Sequence, residues 1–322
     1  MNRVLRPIFQ QTVGALSGHR ANNKLLVLTY HRVLADYDPV IDEVDAVQFT
    51  RQMETLAEYF NVVSLEDGLE QMRAGTLPSS SVCITFDDGY RDNYDVALPI
   101  LSALKLPATF FIAVGYLGDG IMWNDVVRQT IKSTLLKKLD LQEFSLGKVS
   151  IESEQEKVQL IEKLLGSIKY NHVDRRVELV SRLKDIAQVE LTERLMMTQN
   201  EVKELSRAGM EIGGHTVNHP ILTCADENEA RDEIVQGKLY LENLLDKKLK
   251  FFAFPNGQAG KDYNEQHMQI VQQAGFDAAL TTNDGVIDKD SGMFDLPRIC
   301  IDHTTKFKFG VSLARGYVQY AN

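Results

Sequence analysis

The sequence predicts an α/β fold in which buried parallel strands alternate with helices, and three observations predict it. Short apolar runs of strand length recur along the 322 residues. Their apolar character is continuous rather than alternating, as expected of strands covered on both faces. Segments with 3.6-residue periodicity lie between them, and strand–helix alternation of this length suits an α/β barrel or a doubly wound sheet. A chain that is 44% hydrophobic and 25% charged can bury a substantial core without disulfides.

In chain order the candidate strands are Leu25–Tyr30, Asn61–Ser64, Val82–Phe86, Thr109–Ala113, Met210–Gly213, Phe251–Phe254, Ala278–Thr281 and Arg298–Ile301. Helical periodicity marks Gln48–Phe60, Leu65–Ala74, Tyr94–Leu104, Glu227–Leu245 and Tyr263–Ala274. Ser64 with Asp67, and Thr198 with Glu201, read as capping boxes. From about Asn124 to Gln199 the rhythm breaks into a charged stretch that reads as several helices without a strand between them. This is a helical insertion, either a lid beside an active site or a surface cap. No repeat or Pro/Gly-rich linker divides the rest. The expected organisation is a basic amphipathic segment, residues 1–24, followed by one domain, residues 25–322.

The balance of 35 Lys+Arg against 45 Asp+Glu gives a net charge of −10 and argues against broad nucleic-acid binding. Cys83, Cys224 and Cys300 are widely spaced, which points to a reducing compartment, and each is expected to be a small buried hydrophobe. No apolar run approaches the roughly 20 residues of a membrane span. The N-terminus mixes Arg6, Pro7, Gln10 and Gln11 into its apolar residues and does not read as a signal peptide, so a cytoplasmic location is expected. Arg3, Arg6, Arg20, Lys24 and Arg32 all precede the first acid, Asp36. With Val4, Leu5, Ile8, Phe9 and Leu16 broadly on one side, this start suits peripheral contact with an anionic inner-membrane surface, or a helix packed on the fold itself.

Two segments carry the chemistry. Ser81-Val-Cys-Ile-Thr-Phe-Asp87-Asp88-Gly89 runs an apolar strand into two adjacent carboxylates, which alone could be an ordinary turn. Met210-Glu-Ile-Gly-Gly-His215-Thr-Val-Asn-His219 ends a second strand in two histidines four residues apart, a spacing that one helical turn would bring to a shared metal. Two imidazoles and one carboxylate leave positions open for water and substrate, and a dication there lowers the pKa of bound water to roughly 7. The second carboxylate is then available as general base. An iron oxygenase uses the same ligand types, but the H-x-D…H order is absent, which favours hydrolysis.

Thr85-Phe-Asp-Asp-Gly89 followed by His215-Thr-Val-Asn-His219 resembles the polysaccharide deacetylases of the NodB-homology, carbohydrate esterase type, from about Leu25 to Ile301. The resemblance implies a distorted (β/α) barrel of about seven strands. It implies Asp87 as general base, with Asp88, His215 and His219 holding a divalent metal, most simply Zn2+. Phe251-Phe-Ala-Phe-Pro-Asn256-Gly is similar to the family's third motif, except that Ala253 stands where an arginine is frequent. The backbone N–H of Asn256 is the implied oxyanion donor. Arg298, in Leu296-Pro-Arg-Ile299, can orient the base in place of the missing arginine, or be an ordinary surface cation. No histidine near Leu280-Thr-Thr-Asn-Asp284 matches the family's last motif. His31 in Leu28-Thr-Tyr-His31-Arg-Val33 resembles a circularly permuted subgroup in which the N-terminal strand supplies the general acid; His303 is the competing candidate. His19, His172 and His267 read as surface residues.

The implied activity is metal-dependent removal of N-acetyl groups from an N-acetylhexosamine-containing glycan or a lipid-linked precursor. The alternatives are a non-catalytic carbohydrate-binding descendant of the fold and a metal hydrolase of a non-sugar amide.

Overall fold

The computed structural model describes residues 21–41, 43–300 and 305–319. Segment 1–24, apart from its last four residues, lies outside them, as do His19 and His303.

The strands are β1 (Leu25–Tyr30), β2 (Asn61–Val62), β3 (Ser81–Phe86), β4 (Thr109–Ile112), β7 (Glu211–Gly214), β8 (Phe251–Ala253) and β9 (Ala278–Leu280); β5 (Lys138–Leu141) and β6 (Gly147–Ser150) form a separate pair. The main sheet is parallel, in the order β1-β3-β4-β7-β8-β9. β1 pairs with β3 along its whole length, so β2 takes the lower part of the other β3 edge and β4 the upper part. The sheet curls until its two edges meet. Leu296 bridges Leu280 of β9, and Ile299 bridges Leu28 of β1. The result is a distorted (β/α) barrel. The expected strand Arg298–Ile301 is not formed as such among the described residues: the seam is closed by isolated bridges, and it begins at Leu296, which exchanges backbone hydrogen bonds with Ala279 and Thr281.

Among the described residues ten α-helices accompany the strands: α1 (Ala46–Tyr59), α2 (Leu65–Ala74), α3 (Leu98–Leu104), α4 (Trp123–Ser133), α5 (Glu154–Ile168), α6 (Val173–Ala187), α7 (Gln199–Arg207), α8 (Glu227–Leu245), α9 (Glu265–Gln273) and α10 (Lys306–Gln319). Thr198 and Glu201 form a full capping box on α7. At α2 Ser64 accepts from the Asp67 N–H, but the Asp67 carboxylate turns back to the Ser64 hydroxyl at 2.8 Å. Aspartate is one methylene shorter than the glutamate of a capping box, which explains the incomplete cap.

The insertion differs from expectation. It contains the antiparallel hairpin β5–β6. Lys138-Leu-Asp-Leu141 alternates exposed and buried residues, the pattern of a strand with one wet face, over a span too short to stand out in the sequence. With α4, α5 and α6 the hairpin encloses a core of its own that includes Trp123, Val127, Leu141, Leu164 and Leu183. The returning chain then pairs Met196 with Tyr90 and donates the Met197 N–H to Gly89, directly behind the aspartate pair.

Four further residues depart from the reading of the sequence. Cys83 is buried, but Cys224 is half-buried and Cys300 exposed. His267 is buried, and its Nδ1 accepts the Asn264 N–H as part of the cap of α9. Arg32 does not contribute to a basic surface: it is buried, with Nε on the Asp92 carboxylate at 2.8 Å and its guanidinium over the Tyr90 ring.

Candidate active site

His31, the aspartate pair, the two histidines and Asn256 follow the C-terminal ends of β1, β3, β7 and β8, where such folds gather their functional groups, while Arg298 stands on the seam between Leu296 and Ile299. β3 ends at Phe86, and the Gly89 N–H donates to the Asp87 carbonyl at 2.9 Å while Asp88 holds φ at 74°. This is a γ-turn of the rarer, positive-φ kind, which is strained for a non-glycine residue. Its effect is to send adjacent carboxylates in different directions.

Asp87 turns to Arg298. Two parallel bonds, Nη1 to Oδ1 and Nη2 to Oδ2, are each 2.7 Å, and both side chains are buried. Arg298 is fixed in turn by Nε donating to the Thr281 carbonyl at 2.8 Å and by Nη1 to the Thr85 hydroxyl at 3.2 Å. It is therefore not a surface cation. Burial works against the Asp87 charge, but the Arg298 guanidinium outweighs it and holds the carboxyl below the usual range.

Asp88 turns to the histidines, with Oδ1 3.4 Å from His215 Nε2 and 3.3 Å from His219 Nε2. One ligand atom from each of the three lies within 4.8 Å of the others. His215 Nδ1 lies 2.7 Å from the Ala253 carbonyl, which can only accept, so the ring proton sits there and Nε2 presents a lone pair. Asp88 Oδ1 and His215 Nε2 are buried without a hydrogen-bond partner. Burial opposes the charge of Asp88, yet the histidines hold its carboxyl low; burial pushes His219 down to about 3. An anionic carboxylate, two imidazole lone pairs and unsatisfied buried donor atoms fit a divalent cation.

The two histidines are not one helical turn apart. Residues 215–219 form a loop in which Thr216 and His219 have φ of 66° and 48°. The i, i+4 spacing works here through a tight reversal instead. Pro255-Asn256-Gly257 after β8 repeats the aspartate turn: the Gly257 N–H donates to the Pro255 carbonyl at 2.7 Å, with Asn256 at φ 59°. The Asn256 amide Nδ2 is buried without a partner.

His31, Asp87, Asp88, His215, His219 and Asn256 line one cavity of about 280 Å³, with Arg298 behind Asp87. Glu43, Asn124 and Arg128 also line it. Sequence patterning did not single these out. Two of them stand on α4, so the insertion forms part of the cavity rather than a remote cap. Asp125 of the same helix accepts the Tyr90 hydroxyl at 2.7 Å, tying the insertion to the residue after Gly89.

A family model described as polysaccharide deacetylase matches residues 74–279. The chain belongs to the polysaccharide deacetylase family. The match takes in both the aspartate pair and the two histidines. This deacetylase-family chain is 31% identical over 112 residues to the poly-beta-1,6-N-acetyl-D-glucosamine N-deacetylase of Staphylococcus aureus, a stretch that is 33% of the chain and 37% of that protein. Its fold is shared with the Streptococcus pyogenes deacetylase PplD, at a TM-score of 0.59 and 21% identity over 93% of this chain and 98% of that one. It is shared also with IcaB from Ammonifex degensii, at a TM-score of 0.60 and 20% identity over 91% and 97%.

Proposed function

We propose that this chain is a metal-dependent N-deacetylase acting on an N-acetylhexosamine-containing glycan or its lipid-linked precursor. The observation that carries the reading is the division of the aspartate pair: Asp87 is gripped by Arg298, while Asp88 joins His215 and His219. The Staphylococcus aureus relative, named for N-deacetylation of a glucosamine polymer, supports the substrate class. The absence of an arginine at Ala253 was the reason to consider a non-catalytic descendant, and a guanidinium on Asp87 from Arg298 removes that reason.

Asp88, His215 and His219 would hold the metal, Zn2+ by default, which supplies Lewis acidity to water and to the acetamido oxygen. Asp87, kept ionised by Arg298, takes the proton of the attacking water. The Asn256 backbone N–H supports the charge that grows on the carbonyl oxygen. His31 protonates the nitrogen as the C–N bond breaks, so that acetate and a free amino sugar leave. His31→Gln is expected to lower kcat about 10²- to 10⁴-fold with metal content unchanged, as measured by acetate release beside metal analysis.

The whole reading is tested by acetate release from N-acetylglucosamine oligomers, abolished by a chelator and restored by Zn2+. Release from simple amides with none from any N-acetylated sugar would move the chain to the non-sugar hydrolases. The proposal extends to a cytoplasmic site of action at the inner membrane face, through the basic residues before Leu25. Undiminished sedimentation with anionic liposomes after deletion of residues 1–20 would remove that part.

A further inference from the structure

The loop that carries both histidines is held from outside by groups that no metal-ligand motif includes. From Val217 to His219 every backbone N–H and C=O has a partner. The Val217 and Asn218 N–H groups both donate to Glu233 Oε2, at 2.8 and 2.7 Å, and the Asn218 side-chain Nδ2 donates to Oε1 at 2.7 Å. The His219 N–H donates to the Thr216 hydroxyl. The carbonyls of Val217, Asn218 and His219 accept from the Gly115 N–H, the Tyr116 hydroxyl and Arg176 Nη2. Glu233 stands on α8, and one turn later Gly237 lies against the same loop. A Cβ there would come within 3.0 Å of the Thr216 carbonyl carbon and oxygen. The helix therefore approaches the loop closely, with a carboxylate that takes three of its N–H groups.

We infer that Glu233 is a positioning residue: its carboxylate holds the 215–219 loop in its left-handed bends, so that His215 and His219 face Asp88 before any ion arrives. A loop with two non-glycine residues at positive φ relaxes unless its surroundings over-determine it, and Glu233 supplies three of the bonds that do so. The inference rests on the metal reading above. It acts through geometry, since the three bonds need the reach of glutamate more than its charge. Glutamine keeps that reach: Oε1 can accept both backbone N–H groups, and a turned Asn218 amide can accept from Nε2. Aspartate keeps the charge and loses the reach.

The test is titration of the metal-free full chain with Co2+, followed by the visible absorption of the bound ion. Glu233→Asp is expected to weaken Co2+ binding about 10- to 100-fold, while Glu233→Gln stays within about threefold of the unaltered chain. Gly237→Ala, which moves the same loop from the helix side, is expected to fall in the range of Glu233→Asp. Co2+ affinity of Glu233→Asp equal to or above that of Glu233→Gln overturns the inference. Should Glu233→Asp be too unstable to titrate, unaltered affinity in Gly237→Ala overturns it equally. Failure of the unaltered chain to bind Co2+ overturns the metal reading and this inference with it, a result distinct from a reversed order of the variants.

Discussion

Asp87→Asn is expected to lower kcat about 10²- to 10⁴-fold while leaving metal content as it was. The amide is nearly the size of the carboxylate and can still accept one bond from Arg298, but it cannot take a proton from water. Its –NH2 group also faces the second guanidinium N–H, donor against donor, where the native pair has two 2.7 Å bonds. Some stability is therefore lost along with activity, and kcat must be measured well below the unfolding midpoint of the variant. Metal analysis separates this residue from the histidines, because His215→Ala is expected to lose both ion and turnover. Normal hydrolysis by Asp87→Asn would show that the base is another group.

Arg298→Met has the largest expected effect on stability. Removing one partner of a buried ion pair costs about 3–5 kcal/mol, because the remaining charge stays in a low-dielectric interior without compensation. Here Asp87 and Arg298 are both buried and doubly bonded. The sign of the pH dependence follows from the depressed carboxyl of Asp87. Its contribution is present in full above the unfolded-state value, about 4, and fades as pH falls through the lower folded-state value. The stability gap between native and Arg298→Met should thus be widest near neutrality and narrow in acid. In the variant, burial acts on Asp87 unopposed by the guanidinium, so the acid limb of kcat/KM moves to higher pH. Denaturant unfolding at several pH values and a pH–rate profile check both; an unmoved acid limb would separate Arg298 from the ionisation of Asp87.

The strands were legible because burial on both faces writes an uninterrupted apolar run into the sequence: the bounds of β1, and of α2 and α8, agree residue for residue. Arg298 was legible as well, through its place beside Leu296 and Ile299. The bends at Thr216 and His219 were not, since β-branched threonine does not advertise positive φ, histidine adopts it only now and then, and i, i+4 spacing fits a helix equally. Asn124, Arg128 and Glu43 escaped for another reason. They reach the cavity from a helix of the insertion and from a loop, and no local periodicity encodes a contact across the fold. Glu233 reads in sequence as one more solvated charge on an acidic helix.

Arg298 lies 211 positions from Asp87 along the chain, on the segment that joins β9 to β1. The partner of Asp87 therefore comes from the last stretch of barrel along the chain. Until that segment closes the seam, the chain carries both motifs, but Asp87 lacks its two 2.7 Å bonds from Arg298.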